Sequence, residues 1–163
     1  MLFIRLALPL GILQNIWMEG DTISFCFRYL ALRKNSGATQ WSVVQLVKLV
    51  APDGVGEFFG EWAVACGVGA SRALPAGALA LHLAQEPFDM REGICPFGPL
   101  LLRSRLLGGV SQRGICDTAG YSVRNTSLVE TGRREPNATI ALKMVAATHL
   151  DVGEFFTVLS GWC

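Results

Sequence analysis

Apolar residues are dense along this chain, and the polar positions between them define short segments rather than long ones. In ISFCFRYLAL (23–32) the two kinds alternate, with Phe25, Phe27 and Tyr29 on one side and Ser24, Cys26 and Arg28 on the other. That is the period of a half-buried strand. WSVVQLVKLV (41–50) is rich in β-branched residues and runs into Pro52-Asp53-Gly54, a strong turn signal. EFFGEWAVAC (57–66) reads as the next strand. LPAGALALHL (74–83) opens on a Pro-Ala-Gly turn, and its Ala/Leu content also allows a helix. CPFGPLLLRSRLL (95–107) carries two prolines and then an apolar run. Short segments divided by Gly, Pro and Asn turns, several of them apolar on both faces, predict two sheets packed face to face. No long helix-period segment with a capping box stands out. The expected fold class is all-β, a jelly-roll-like antiparallel sandwich.

The pattern also repeats. VGEFF occurs in GVGEFFGEW (54–62) and again in DVGEFFTVLSGW (151–162). Upstream of it, Lys48 matches Lys143 and Val50-Ala51 matches Val145-Ala146. At an offset of 100, RKNSGAT (33–39) lies opposite RREPNAT (133–139), Gly20 opposite Gly120, and Arg5-Leu6 opposite Arg105-Leu106; Gln14 pairs with Gln112. A colinear series with small insertions at turns is the mark of a tandem duplication. Residues 1–104 are expected to form a first sandwich repeat, and residues 105–163 a second, truncated repeat packed on it.

Composition narrows the function classes. The chain has 163 residues, 51% hydrophobic and 17% charged, enough for a substantial core. Its uncharged stretches at 6–18 and 73–85 contain proline and fall short of the roughly 20 apolar residues a spanning helix needs, so no membrane span is expected. The opening MLFIRLALPLGILQ has the early Arg and short apolar run of a secretion signal, but no small-residue cleavage site follows, and it reads as a first strand. A net charge of +1 makes no electrostatic case for nucleic acid, and Arg33-Lys34 and Arg133-Arg134 read as solvated turn residues. Cys26, Cys66, Cys95, Cys116 and Cys163 are odd in number and lack CxxC spacing, which argues against a disulfide framework and against zinc.

Reactive groups are scarce. His82 and His149 are isolated, neither GxSxG nor HExxH occurs, and CGVGAS (66–71) lacks the later Gly of a nucleotide loop. Glu57 and Glu61, four apart, read as a solvated strand edge rather than an acid–base pair. No enzyme activity, catalytic residue, metal or cofactor is expected.

The order Gln-bearing strand, GDTISFCF, WSVVQLVKLV, PDG, EFFGEW, LPAGALALHL and CPFGPLLL resembles carbohydrate-binding modules of the family 4/9 type, over roughly residues 10–102 and more faintly 108–162. The resemblance implies a non-catalytic binding protein for glycan or another surface ligand. Sugars are held by aromatic faces and by planar polar groups. Trp41 is the platform candidate, with Gln45 on the same face; Arg28 would donate hydrogen bonds and Trp17 would form a rim. The alternative is a virion or phage-tail structural protein that uses the same sandwich to assemble into an oligomer. A weaker third reading is an apolar-ligand carrier.

Overall fold

The computed structural model describes residues 39–50, 52–68, 74–86 and 95–162. They contain eight helices: α1 (Gln40–Val50), α2 (Val55–Ala65), α3 (Ala78–Gln85), α4 (Phe97–Leu107), α5 (Gln112–Ala119), α6 (Val123–Glu130), α7 (Ala138–Ala147) and α8 (Val152–Ser160). The one β feature among the described residues is an isolated antiparallel bridge between Thr39 and Asn137. The described residues lie within one compact unit, 36–163.

The expected all-β jelly-roll sandwich is therefore overturned, and the likeness to carbohydrate-binding modules goes with it. WSVVQLVKLV is α1, EFFGEWAVAC lies largely in α2, LPAGALALHL leads into α3, and CPFGPLLLRSRLL becomes α4. The strands expected at the N-terminus and at 23–32 lie outside the described residues.

Spacing explains the outcome. In α1 the buried residues include Val43, Val44 and Val47. A strand would have buried every second residue, whereas i, i+1, i+4 is an arc of a helix. β-branched residues weaken a helix only slightly, by at most about 0.7 kcal/mol each, and burying a valine stabilises by roughly 1.5–3 kcal/mol. Tertiary burial outweighs local preference.

VGEFF follows the same rule. It is the start of α2 and again the start of α8, and it buries Val55, Phe58 and Phe59 in the first case and Val152, Phe155 and Phe156 in the second. The i, i+3, i+4 spacing is that of a core-facing helix. Helix starts are marked too. Ser111, Ser122, Asn137 and Asp151 are N-caps whose side chains accept from the backbone N–H three residues on. In Asp151-x-x-Glu154 the cap is followed by Glu at the third helical position, the spacing of a capping box.

The two helices that begin with VGEFF pack against each other. Phe59 of α2 and Phe156 of α8 stack with ring centroids 3.8 Å apart and planes 8° from parallel. Phe97 of α4 meets Phe155 edge-on at 5.4 Å. Gly56 and Gly153 allow the helices this approach: a Cβ on Gly56 would overlap Thr157 Oγ1 and fall 2.7 Å from Gly153 O, and one on Gly153 would fall 2.8 Å from Gly56 O. Lys48 of α1 donates to Ser160 O at 2.7 Å, a cation at the carbonyl end of α8.

Two glycines of α2 are expected to respond oppositely to alanine. Gly56→Ala overpacks a backbone contact and should lose about 1–3 kcal/mol. A Cβ on Gly60 meets nothing within 4 Å, so Gly60→Ala should gain up to about 1 kcal/mol of helix propensity. Urea unfolding of the two variants checks this, and equal effects would contradict the packing.

Candidate functional site

The described part of the second repeat gathers its polar chemistry around two short helices. α5 begins at the cap Ser111, whose hydroxyl accepts from the Gly114 N–H at 3.1 Å, and it buries Ile115, Cys116 and Ala119. It ends at Gly120, which has φ 66° and ψ 36°. That left-handed conformation costs glycine little and other residues more. The chain turns through Gly120, Tyr121 and Ser122, and Ser122 caps α6 by accepting from the Asn125 N–H at 3.1 Å. Two eight-residue helices are thus joined by a three-residue turn containing glycine, which is the helix–turn–helix connection.

Contacts from α4 and α5 hold α6 in place. The Cys116 thiol of α5 donates to Thr126 Oγ1 of α6 at 3.2 Å. Arg105, in the last turn of α4, grips Glu130 at the end of α6 with two bonds, Nε to Oε1 at 2.6 Å and Nη2 to Oε2 at 3.2 Å. Its Nη1 donates to Val110 O at 3.1 Å, and Gln112 Nε2 of α5 donates to Glu130 Oε2 at 3.0 Å. One carboxylate therefore ties α4, α5 and α6 together. The pair is largely enclosed, with side-chain exposures of 14% and 5%, and the fork geometry fixes direction as well as distance.

This leaves the other side of α6 to solvent. Thr126, Val129 and Glu130 are buried; Ser122, Val123, Arg124 and Ser127 are exposed, Val123 at 50%. Exposed arginines flank the stripe, Arg113 on α5 and Arg133 and Arg134 in the loop after α6. Arg134 Nη1 donates to Asn125 Oδ1 at 2.8 Å and its guanidinium lies 5.7 Å from the Tyr121 ring centroid, so the loop is latched onto the start of α6. Acidic groups in this stretch are few: Asp117 is exposed, Glu130 is matched by Arg105, and Glu135 accepts from the Trp41 N–H at 2.9 Å.

Of the residues singled out for sugar binding, Trp41 and Gln45 are described. Trp41 and Gln45 do share a face, because four residues is a whole number of strand periods and close to one helical turn. Both are half-buried on α1. Arg28 and Trp17 lie outside the described residues. Glu57 and Glu61 are exposed one turn apart on α2. No group of three or more His, Cys, Asp or Glu side chains among the described residues could hold a metal ion. Cys66, Cys95 and Cys116 are free thiols. Burial pushes the Cys95 thiol up, against the opposing pull of the Phe97 and Gly98 N–H groups. No helix of the described residues is long and apolar enough to cross a membrane.

Reading strands hid the α5–α6 unit, since Gln112 and Gly120 registered only as repeat markers. The available signal was two serines, Ser111 and Ser122, each opening an eight-residue segment, with Gly120 between them. No family model, curated protein or solved structure matches this chain, which leaves its geometry and chemistry to carry any functional reading.

Proposed function

We propose that this chain is a non-catalytic DNA-binding protein in which α6 enters the major groove and α5 lies across the backbone. The observation that carries the reading is the α5–turn–α6 unit: its second helix is braced from behind by the Arg105–Glu130–Gln112 network and presents Val123, Arg124 and Ser127 to solvent. A groove-reading helix needs that arrangement, with its first residues exposed at base-edge level and its position fixed. The chemistry fits as well. Arginine donates in pairs to guanine, an apolar side chain such as Val123 contacts the thymine methyl, and serine serves either kind of base. Arg113, Arg133 and Arg134 are placed to meet phosphates on either side.

This reverses the expectation of no nucleic-acid partner. The net charge of +1 averages over the whole chain, whereas phosphates respond to the local set of arginines. The glycan and assembly readings drew on the sandwich architecture and lose that support with it.

Fluorescence anisotropy of a labelled duplex at increasing salt tests the proposal. Release of counterions by about three arginine–phosphate contacts predicts a log–log slope of roughly −3. No binding at low salt, or a flat slope, would refute it.

A further inference from the structure

Resting on the DNA-binding reading, we infer that Asn125 is a base-reading residue of α6 and that Arg134 sets what it reads: held by Arg134, the Asn125 amide acts as a hydrogen-bond donor and selects guanine over adenine. Asn125 is the third residue of α6, half-buried on the flank of the stripe formed by Val123, Arg124 and Ser127. Residues at the N-terminal end of a groove-entering helix are the ones that meet base edges.

The geometry around this amide carries the inference. Arg134 Nη1 donates to Asn125 Oδ1 at 2.8 Å. A guanidinium has donors and no acceptor, so the amide corner it faces must be the oxygen, and Nδ2, at the other corner of the same planar group, is turned away from it. Arg134 is itself fixed. The Arg133 and Arg134 N–H groups both donate to Leu128 O, at 2.9 and 3.1 Å, and the Gly132 N–H donates to Val129 O at 2.9 Å. Gly132 has φ 73°, the left-handed turn that folds the loop back onto the last turn of α6. The guanidinium also lies over the Tyr121 ring, 5.7 Å from its centroid. Backbone, ring and hydrogen bond agree on one position for the side chain.

In the major groove an unencumbered asparagine pairs with adenine, its oxygen accepting from N6 and its nitrogen donating to N7. Guanine shows two acceptors in the same place, N7 and O6. A charged donor on Oδ1 takes up accepting capacity of that oxygen and polarises the amide, which strengthens its N–H donors. The amine of adenine then faces an occupied acceptor, whereas both acceptors of guanine face improved donors. A guanidinium has further N–H groups beyond the one used here, so Arg134 can hold Asn125 and still meet a phosphate. Arg134 is in this sense a positioning residue, and Asn125 the one that touches the base.

Enrichment of duplexes from a random pool by the full chain, followed by anisotropy titrations with each base pair replaced in turn, tests the inference on the wild-type chain, Asn125→Ala and Arg134→Met. One position should lose its discrimination in Asn125→Ala. At that position the wild-type chain should bind guanine better than adenine by on the order of 10-fold, and Arg134→Met, which releases Oδ1, should shift the order toward adenine. Losing a phosphate contact lowers the affinity of Arg134→Met for all sequences alike, so only the changed order reports on the latch. Adenine preferred by the wild-type chain, an order unchanged in Arg134→Met, or no position that depends on Asn125 would overturn the inference while leaving the DNA-binding reading standing. Enrichment of no duplex, with no salt-dependent binding, would overturn both.

Discussion

Replacing Glu130 with alanine is expected to destabilise the protein by about 3–5 kcal/mol, the cost of leaving the Arg105 guanidinium enclosed without its carboxylate. The size follows from enclosure, since an exposed ion pair is worth only about 0–1 kcal/mol, whereas here the two side chains are 14% and 5% exposed and joined by two bonds. Gln112 also loses its acceptor in this variant. Replacing both charges with apolar residues of similar size, Arg105→Met with Glu130→Leu, removes the stranded charge and should recover most of the loss. A double-mutant cycle in urea separates the cases. A small loss for Glu130→Ala, or a double variant less stable than the single one, would contradict the assigned role. Because Glu130 sits in the last turn of α6, DNA affinity of Glu130→Ala should fall along with stability, and in the double variant it should recover less than stability does, since no fork then sets the position of the helix.

The second large effect separates two arginines by position. Arg124 is exposed in the first turn of α6, where the proposed docking would bring it to base edges; Arg133 follows the helix in an exposed loop. Arg124→Ala should weaken binding to the preferred sequence by about 1–3 kcal/mol, roughly 5- to 150-fold, and relax the preference at one base pair. Arg133→Ala should weaken binding to every sequence alike and reduce the salt slope by about 1. Binding isotherms on the preferred duplex and on single-base variants distinguish the two. If both substitutions act uniformly, α6 is not reading bases.

Some of this architecture could be read directly from residue order. VGEFF recurs in the sequence, and the geometry joins the two helices that carry it through Gly56 with Gly153 and Phe59 with Phe156. The same five letters also carried the correct period, since Val55, Phe58 and Phe59 are spaced for a helix and not for a strand. Valine density in α1 and the Pro-Asp-Gly turn drew the reading toward sheets, because β preference is a local quantity and the burial of Val43, Val44 and Val47 is a tertiary one. The capping pair Asp151 and Glu154 is legible in the sequence as well.

The candidate site was harder for a physical reason. Its bracing group, Glu130, meets Arg105 across 25 residues and Gln112 across 18, and no periodicity encodes such a meeting. Comparing repeats pointed away from it as well, since Leu30 occupies the equivalent place in the first copy. Arg113, Arg124, Arg133 and Arg134 are scattered along the chain and vanish into a net charge near neutrality; the turn at Gly120, which joins the helix of Arg113 to α6, and the latch of Arg134 on Asn125 bring Arg113 and Arg134 to α6.

Backbone amide shifts of the isotope-labelled chain, followed by NMR as a short duplex is added, test most directly whether α6 is the DNA-reading helix. The largest changes should fall at Gln112 and Arg113, along Ser122 to Ser127, and at Arg133 and Arg134, leaving α2 and α8 nearly silent. Changes centred on α2 and α8, or none anywhere as duplex reaches excess, would contradict it.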